Sequence, residues 1–106
     1  MNRIKYKRND ENLKKDFVRA GKLLQIFNLA NYENEQLKTE ILTELFGTVG
    51  NGILVEHNFH CDLGYNIHVG VNFYAGYNCT ILDMAEIRIG DNCLIAPNVG
   101  IYTAVK

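Results

Sequence analysis

Three histidines and three cysteines are the residues of this chain best suited to chemistry near neutral pH. An imidazole changes charge closest to physiological pH, so His57, His60 and His68 are each candidate proton acceptors. His57 and His60 beside Cys61 also suggest a metal cluster. No carboxylate or further ligand completes a standard spacing around them, and no metal site is expected. Cys61, Cys79 and Cys93 are an odd set, and the opening MNRIKYKRND has no apolar signal segment. Reduced thiols in a cytoplasmic protein are the expectation.

The elements that must position these residues show in their spacing. Val55, Cys61, Ile67, Phe73 and Cys79 recur every six residues; after a gap of eight, Ile87, Cys93, Val99 and Val105 resume the step. Two places after each stands a second, mostly apolar set, from Leu63 and Val69 to Ile95 and Ile101, in which His57 is the polar member. Asn66, Asn72, Asn78, Asn92 and Asn98 close most units, and Gly64, Gly70, Gly76 and Gly90 take their fourth place. A period of six is neither that of a strand nor that of a helix. It suits a parallel β-helix of three flat faces, with the apolar residue inward and turn-tolerant residues at the corners. The gap before Ile87 predicts a two-residue corner insertion around Asp83 to Glu86. Placed inward, the three cysteines read as small buried hydrophobes.

Ahead of the repeat, Leu13, Phe17, Ala20, Leu24 and Phe27 fall at helical spacing, with Asn9 or Asp10 as N-cap. After an Asn-rich loop, Leu37, Ile41 and Leu45 mark a second helix with Asn34 as N-cap and Gly47 as a left-handed C-terminal residue. The fold class is therefore mainly β: an incomplete left-handed parallel β-helix of hexapeptide repeats over 53–106, preceded by two short α-helices over 1–52. Two helices this short need another surface to cover.

With 47% hydrophobic and 22% charged residues, the composition is that of an ordinary globular chain. The net charge of -1 gives no reason to expect nucleic acid, and no apolar run approaches the roughly 20 residues of a membrane span. Eight of the eleven basic residues lie in the first 22, which describes either a solvated helix start or a docking surface for an acidic partner.

The strings LLQIFN, LFGTVGNG, FHCDLGYNIHVGVNFYAGYNCTILD and IRIGDNCLIAPNVGIYTA resemble the maltose/galactoside O-acetyltransferases, over nearly the whole chain. The resemblance implies acetyl transfer from acetyl-CoA to a sugar hydroxyl, and a homotrimer with sites in the clefts between β-helices. It implies a histidine as general base and an oxyanion held by hydrogen-bond donors, with no covalent enzyme intermediate. Asp62 matches a position that contacts the acceptor sugar, and Asp83 falls near the acceptor pocket; a corner-capping role is the alternative for Asp62. Gly76 stands where the family usually has an asparagine important for catalysis, and Asn78 follows it in a turn-forming place.

Lys106 occupies the position expected for the catalytic histidine, and a lysine protonated near neutral pH is a poor base. The coils that bind CoA in the family would come later. The expectation is thus a truncated, inactive fragment of a sugar O-acetyltransferase. Two alternatives are a non-catalytic β-helix interaction protein that associates with a full-length relative, and an acetyltransferase with a different acceptor.

Overall fold

The computed structural model describes residues 11–103, so the candidate caps Asn9 and Asp10, and Val105 and Lys106, lie outside the described residues. Helix α1 spans Glu11–Leu29 and buries Ala20, Leu24 and Phe27, with Leu13 and Phe17 half-buried on the same stripe. Helix α2 spans Glu35–Leu45, and its N-cap is Asn34, whose side chain accepts from the Leu37 amide at 3.2 Å. That bond satisfies one of the amides a helix start leaves unpaired.

The far end of α2 differs from the expected left-handed stop. Phe46 leaves the helix in extended geometry (φ −79°, ψ 159°), and Gly47 does not take a positive φ. Glycine is needed there for closeness instead. A Cβ on Gly47 would stand 2.4 Å from the Tyr65 carbonyl oxygen and 2.5 Å from the His68 ring.

Nine short strands follow within the described residues: β1 (Thr48–Val49), β2 (Leu54–Val55), β3 (Phe59–Cys61), β4 (Ile67–Val69), β5 (Tyr74–Ala75), β6 (Cys79–Leu82), β7 (Ile87–Ile89), β8 (Leu94–Ile95) and β9 (Gly100–Tyr102). They form three parallel sheets, β1-β4-β7, β2-β5-β8 and β3-β6-β9, which are the three faces of a left-handed β-helix. The register pairs Thr48 with His68 and His68 with Arg88, so each coil takes 68 − 48 = 20 residues. That is two more than three plain hexapeptides.

The extra residues sit at one corner in each coil. From Cys61 to Ile67, and again from Ile81 to Ile87, the chain advances six places, against four from Val55 to Phe59. This corrects the phase read from the sequence. Cys61 pairs with Ile81 and Phe59 with Cys79, so the first inward series runs Ile53, Phe59, Ile67, and Val55 and Cys61 belong to the second. An insertion that recurs in every coil imitates an unbroken step of six when the chain is read from Val55. Asn72, Asn78, Asn92 and Asn98 turn the plain corners at φ 58° to 63°.

One core runs through both parts. Ala20, Leu24, Phe27, Ile41, Leu42, Leu45 and Phe46 from the helices join Ile53, Val55, Phe59, Ile67, Phe73, Cys79 and Ile81 from the coils. Burying each large apolar side chain contributes about 1.5–3 kcal/mol, so the helices and first coil support each other. Strand β1, within 1–52, already belongs to the first sheet. The cysteines are free thiols: Cys79 is buried, and Cys61 and Cys93 are half-buried against the core.

Candidate functional site

The structure brings Asp62 and Asp83 together at the enlarged corner. The turn 62–66 leaves β3 and enters β4, and Asp83 lies one coil on, just past β6. Asp83 is fully buried. Its Oδ1 accepts from the Asp62 amide at 3.1 Å and the Leu63 amide at 2.9 Å, and its Oδ2 accepts from the Asn66 amide at 3.2 Å. The Asn66 side chain returns the contact, donating to the carbonyls of Asp83 (2.8 Å) and Met84 (3.2 Å). Burial raises the Asp83 carboxyl above its ordinary value, and the three amides counter part of that shift. Asp62 itself is half-exposed.

The helices close the outer side of this turn. Tyr65 donates its hydroxyl to Asp16 of α1 at 2.7 Å, and burial with that hydrogen bond pushes the phenol up to about 12. Arg19, one helical turn on, donates to the Glu44 carbonyl at the end of α2. Gly64, at φ +84°, lies against Leu45. Asp16, Arg19, Tyr65 and Asn66 thus join the site at this corner without being expected in it from the sequence. The spacing of Asp16 and Arg19 on one helix face was the available signal.

Gly76 and Asn78 occupy a different corner, between β5 and β6. Asn78 has φ 60° and donates to the Asn98 side chain at 3.2 Å, the geometry of a turn residue. Gly76 is buried, and a Cβ there would meet the Pro97 nitrogen at 2.8 Å. Lys106 lies outside the described residues.

The histidines do not converge. His68 links the Thr48 hydroxyl (3.0 Å at Nδ1) to Glu86 (3.4 Å at Nε2) on the outside of the β1-β4-β7 sheet. His57 stands edge-on to Phe27, with centroids 5.2 Å apart, under the helices. His60 is exposed on β3. Among the described residues no group of three or more His, Cys, Asp or Glu gathers in a way that could hold a metal. No described helix is long and apolar enough to cross a membrane.

Residues 5–50 match the maltose acetyltransferase hexapeptide capping motif. The fold superposes on the crystal structure of a maltose O-acetyltransferase from Clostridium difficile 630, with a TM-score of 0.92 and 50% identity, covering 94% of this chain and 54% of that one. It also superposes on a galactoside acetyltransferase in complex with coenzyme A, with a TM-score of 0.86 and 38% identity, covering 90% and 48%. In sequence, the galactoside O-acetyltransferase of Escherichia coli K12 is 40% identical over 89 residues, covering 84% of this chain and 44% of the relative. The chain belongs to the maltose/galactoside O-acetyltransferase family. It spans about half the length of the curated relatives it matches. The turn that carries Asp62 is built entirely from this chain's own residues.

Proposed function

We propose that the chain supplies the acceptor side of an acetyl-CoA-dependent sugar O-acetyltransferase, with Asp62 as the group that receives sugar hydroxyls. The single observation behind this reading is the turn 62–66. It is half-exposed at Asp62 yet fixed from beneath by Asp83 and from the side by Asp16 through Tyr65. A carboxylate on a rigid turn accepts two hydroxyl hydrogen bonds and orients a polyol.

In the transfer, the acceptor oxygen attacks the thioester carbonyl of acetyl-CoA and loses its proton to a base. The tetrahedral oxyanion then collapses, the C–S bond breaks, and the CoA thiolate leaves with a proton. Gly76 offers no side-chain donor to that oxyanion, which favours a chain that binds acceptor but transfers poorly.

Because Asp62 and Gly76 stand on different corners, one chain alone does not gather both into one site. A homotrimer, with each cleft formed by two neighbouring β-helices, gives the two corners a common site.

Acetyl-CoA turnover by the purified chain, with maltose, methyl galactoside and glucosamine as acceptors, tests this reading together with light scattering. Saturable sugar binding lost in Asp62→Ala supports it. Turnover at ordinary enzyme rates would overturn the transfer-poor reading, and unaltered binding in Asp62→Ala would remove Asp62 from the site.

A further inference from the structure

Every described corner but one closes without a buried charge. The Asn72 side chain donates to Asn92 at 3.1 Å and that of Asn78 to Asn98 at 3.2 Å, both exposed amide pairs that recur coil on coil. The corner at 62–66 instead draws a carboxylate wholly out of water and aims both oxygens at backbone amides. Withdrawing a carboxylate from solvent costs several kcal/mol before its hydrogen bonds return any of it. The other enlarged corner, 81–87, closes on the neutral Thr103 hydroxyl, which accepts from the Ala85 amide at 3.0 Å and donates to the Leu82 carbonyl at 2.6 Å, so chain reversal alone does not require this arrangement.

What the carboxylate adds is placement. Its Oδ1 fixes two consecutive amides, those of Asp62 and Leu63, and its Oδ2 fixes Asn66, where the turn ends. Charge-assisted bonds of this kind are about twice as strong as neutral ones. The Asn66 side chain ties the same strand end back to residues 83 and 84. Asp83 has no exposed surface with which to touch a ligand, whereas Asp62, whose amide it holds, is half-exposed.

We infer that Asp83 is a positioning residue: through the Asp62, Leu63 and Asn66 amides it sets where the Asp62 carboxylate stands, and so sets acceptor affinity. The two-residue enlargement of the corner is what carries Asp83 inward beneath that turn. This inference rests on the acceptor role of Asp62 proposed above and reassigns Asp83 from a sugar contact to the support of one.

The test is an amide-resolved NMR titration of the full 106-residue chain with maltose and with methyl galactoside. It compares wild type, Asp83→Asn, Asn66→Ala and a core control, Val69→Ala, each at a temperature where melting curves show it folded. Asn66→Ala keeps the inference testable if Asp83→Asn does not fold. The expected result is a roughly tenfold loss of sugar affinity in Asp83→Asn and Asn66→Ala, with the Asp62 amide resonance displaced before sugar is added. Val69→Ala, destabilised at the end of β4 away from the turn, keeps wild-type affinity. Undiminished affinity in both turn variants, with the Asp62 amide displaced, overturns the inference and leaves the acceptor role intact. Equal losses in Val69→Ala reduce Asp83 to a stability role and overturn it too. A wild type whose Asp62 signals ignore both sugars overturns the acceptor reading itself, and the inference with it.

Discussion

Gly64 and Leu45 meet where the last turn of α2 lies over the enlarged corner: a Cβ on Gly64 would fall 2.5 Å from Leu45 Cδ1 and 2.6 Å from the Leu45 carbonyl oxygen. Leu45 has no exposed surface, so neither side has room to give. Gly64 also needs its φ of +84°, which costs an L-residue about 1–2 kcal/mol. Gly64→Ala is expected to lower stability by about 2–4 kcal/mol, read from urea midpoints at unchanged slope. A loss below about 1 kcal/mol would show that α2 does not clamp this turn.

The plain corners respond differently. Asn78 holds φ 60°, a conformation asparagine and glycine tolerate and β-branched residues do not. Asn78→Gly is expected to change stability by under about 1 kcal/mol, and Asn78→Val to lower it by about 1–3 kcal/mol, in the same urea assay. Equal effects would mean that the side-chain bond to Asn98, and not the backbone conformation, fixes the corner.

Phe59 and Phe73 are both fully buried, Phe59 where the helices meet the first coil. Truncation to alanine at either is expected to cost about 3–5 kcal/mol, a large fraction of the stability of a chain this size. The discriminating result is in circular dichroism. Phe59→Ala should lose helix signal together with tertiary structure, because Phe46 packs on the Phe59 ring at 5.6 Å. Helices that persist after the coils melt would contradict the shared core.

Half-buried His57 and fully buried Asp83 give the stability opposite pH slopes. Burial, with the Lys38 charge second, pushes His57 below its usual 6.5; the fold therefore favours neutral imidazole, and stability falls as pH drops below about 6.5. Burial raises Asp83 above 3.8, so the fold disfavours its charged form, and protonation in the window just above 3.8 recovers stability. Melting temperature against pH should show a decline below 6.5 that His57→Gln removes. Its persistence in His57→Gln would assign the decline elsewhere.

The cysteines should be slow to react. Burial raises the Cys79 thiol, and burial with the Asp83 and Asp62 charges raises that of Cys61 further. Disulfide-exchange reagents at pH 8 are expected to label Cys61 and Cys79 only as fast as the chain opens, and all three on denaturation. Immediate labelling of Cys61 in the folded protein would show the 62–66 turn to be open.

Much of this architecture is legible in residue order. The step of six names the β-helix, the spacing from Leu13 to Phe27 gives α1, and Asn34 caps α2 as its type suggests. The phase of the first coil is not legible. Leu63 is buried, and Val55 and Cys61 are as apolar as Ile53 and Phe59, so hydrophobicity alone accepts either phase. Only the pairing of Phe59 with Cys79 decides it. The site is legible in half. Asp62 and Asp83 carry recognisable side chains, but what Asp83 binds is backbone, and amides have no letter in a sequence. Gly47 shows the same limit, since its small size answers to His68, twenty-one places on, and not to its own helix.

The twenty-residue coil also dictates an order of assembly. Each strand pairs only with those one coil before and after it, so the chain can zip up progressively, every finished coil serving as the template for the next. Among the described residues no strand lies below the first coil, and α1 and α2 share its core there. The shared core makes the helices with the first coil the expected nucleus. A lesion at Phe27 or Leu45 should slow the formation of every later coil, while one at Ile95 should chiefly speed the unravelling of the last described coil.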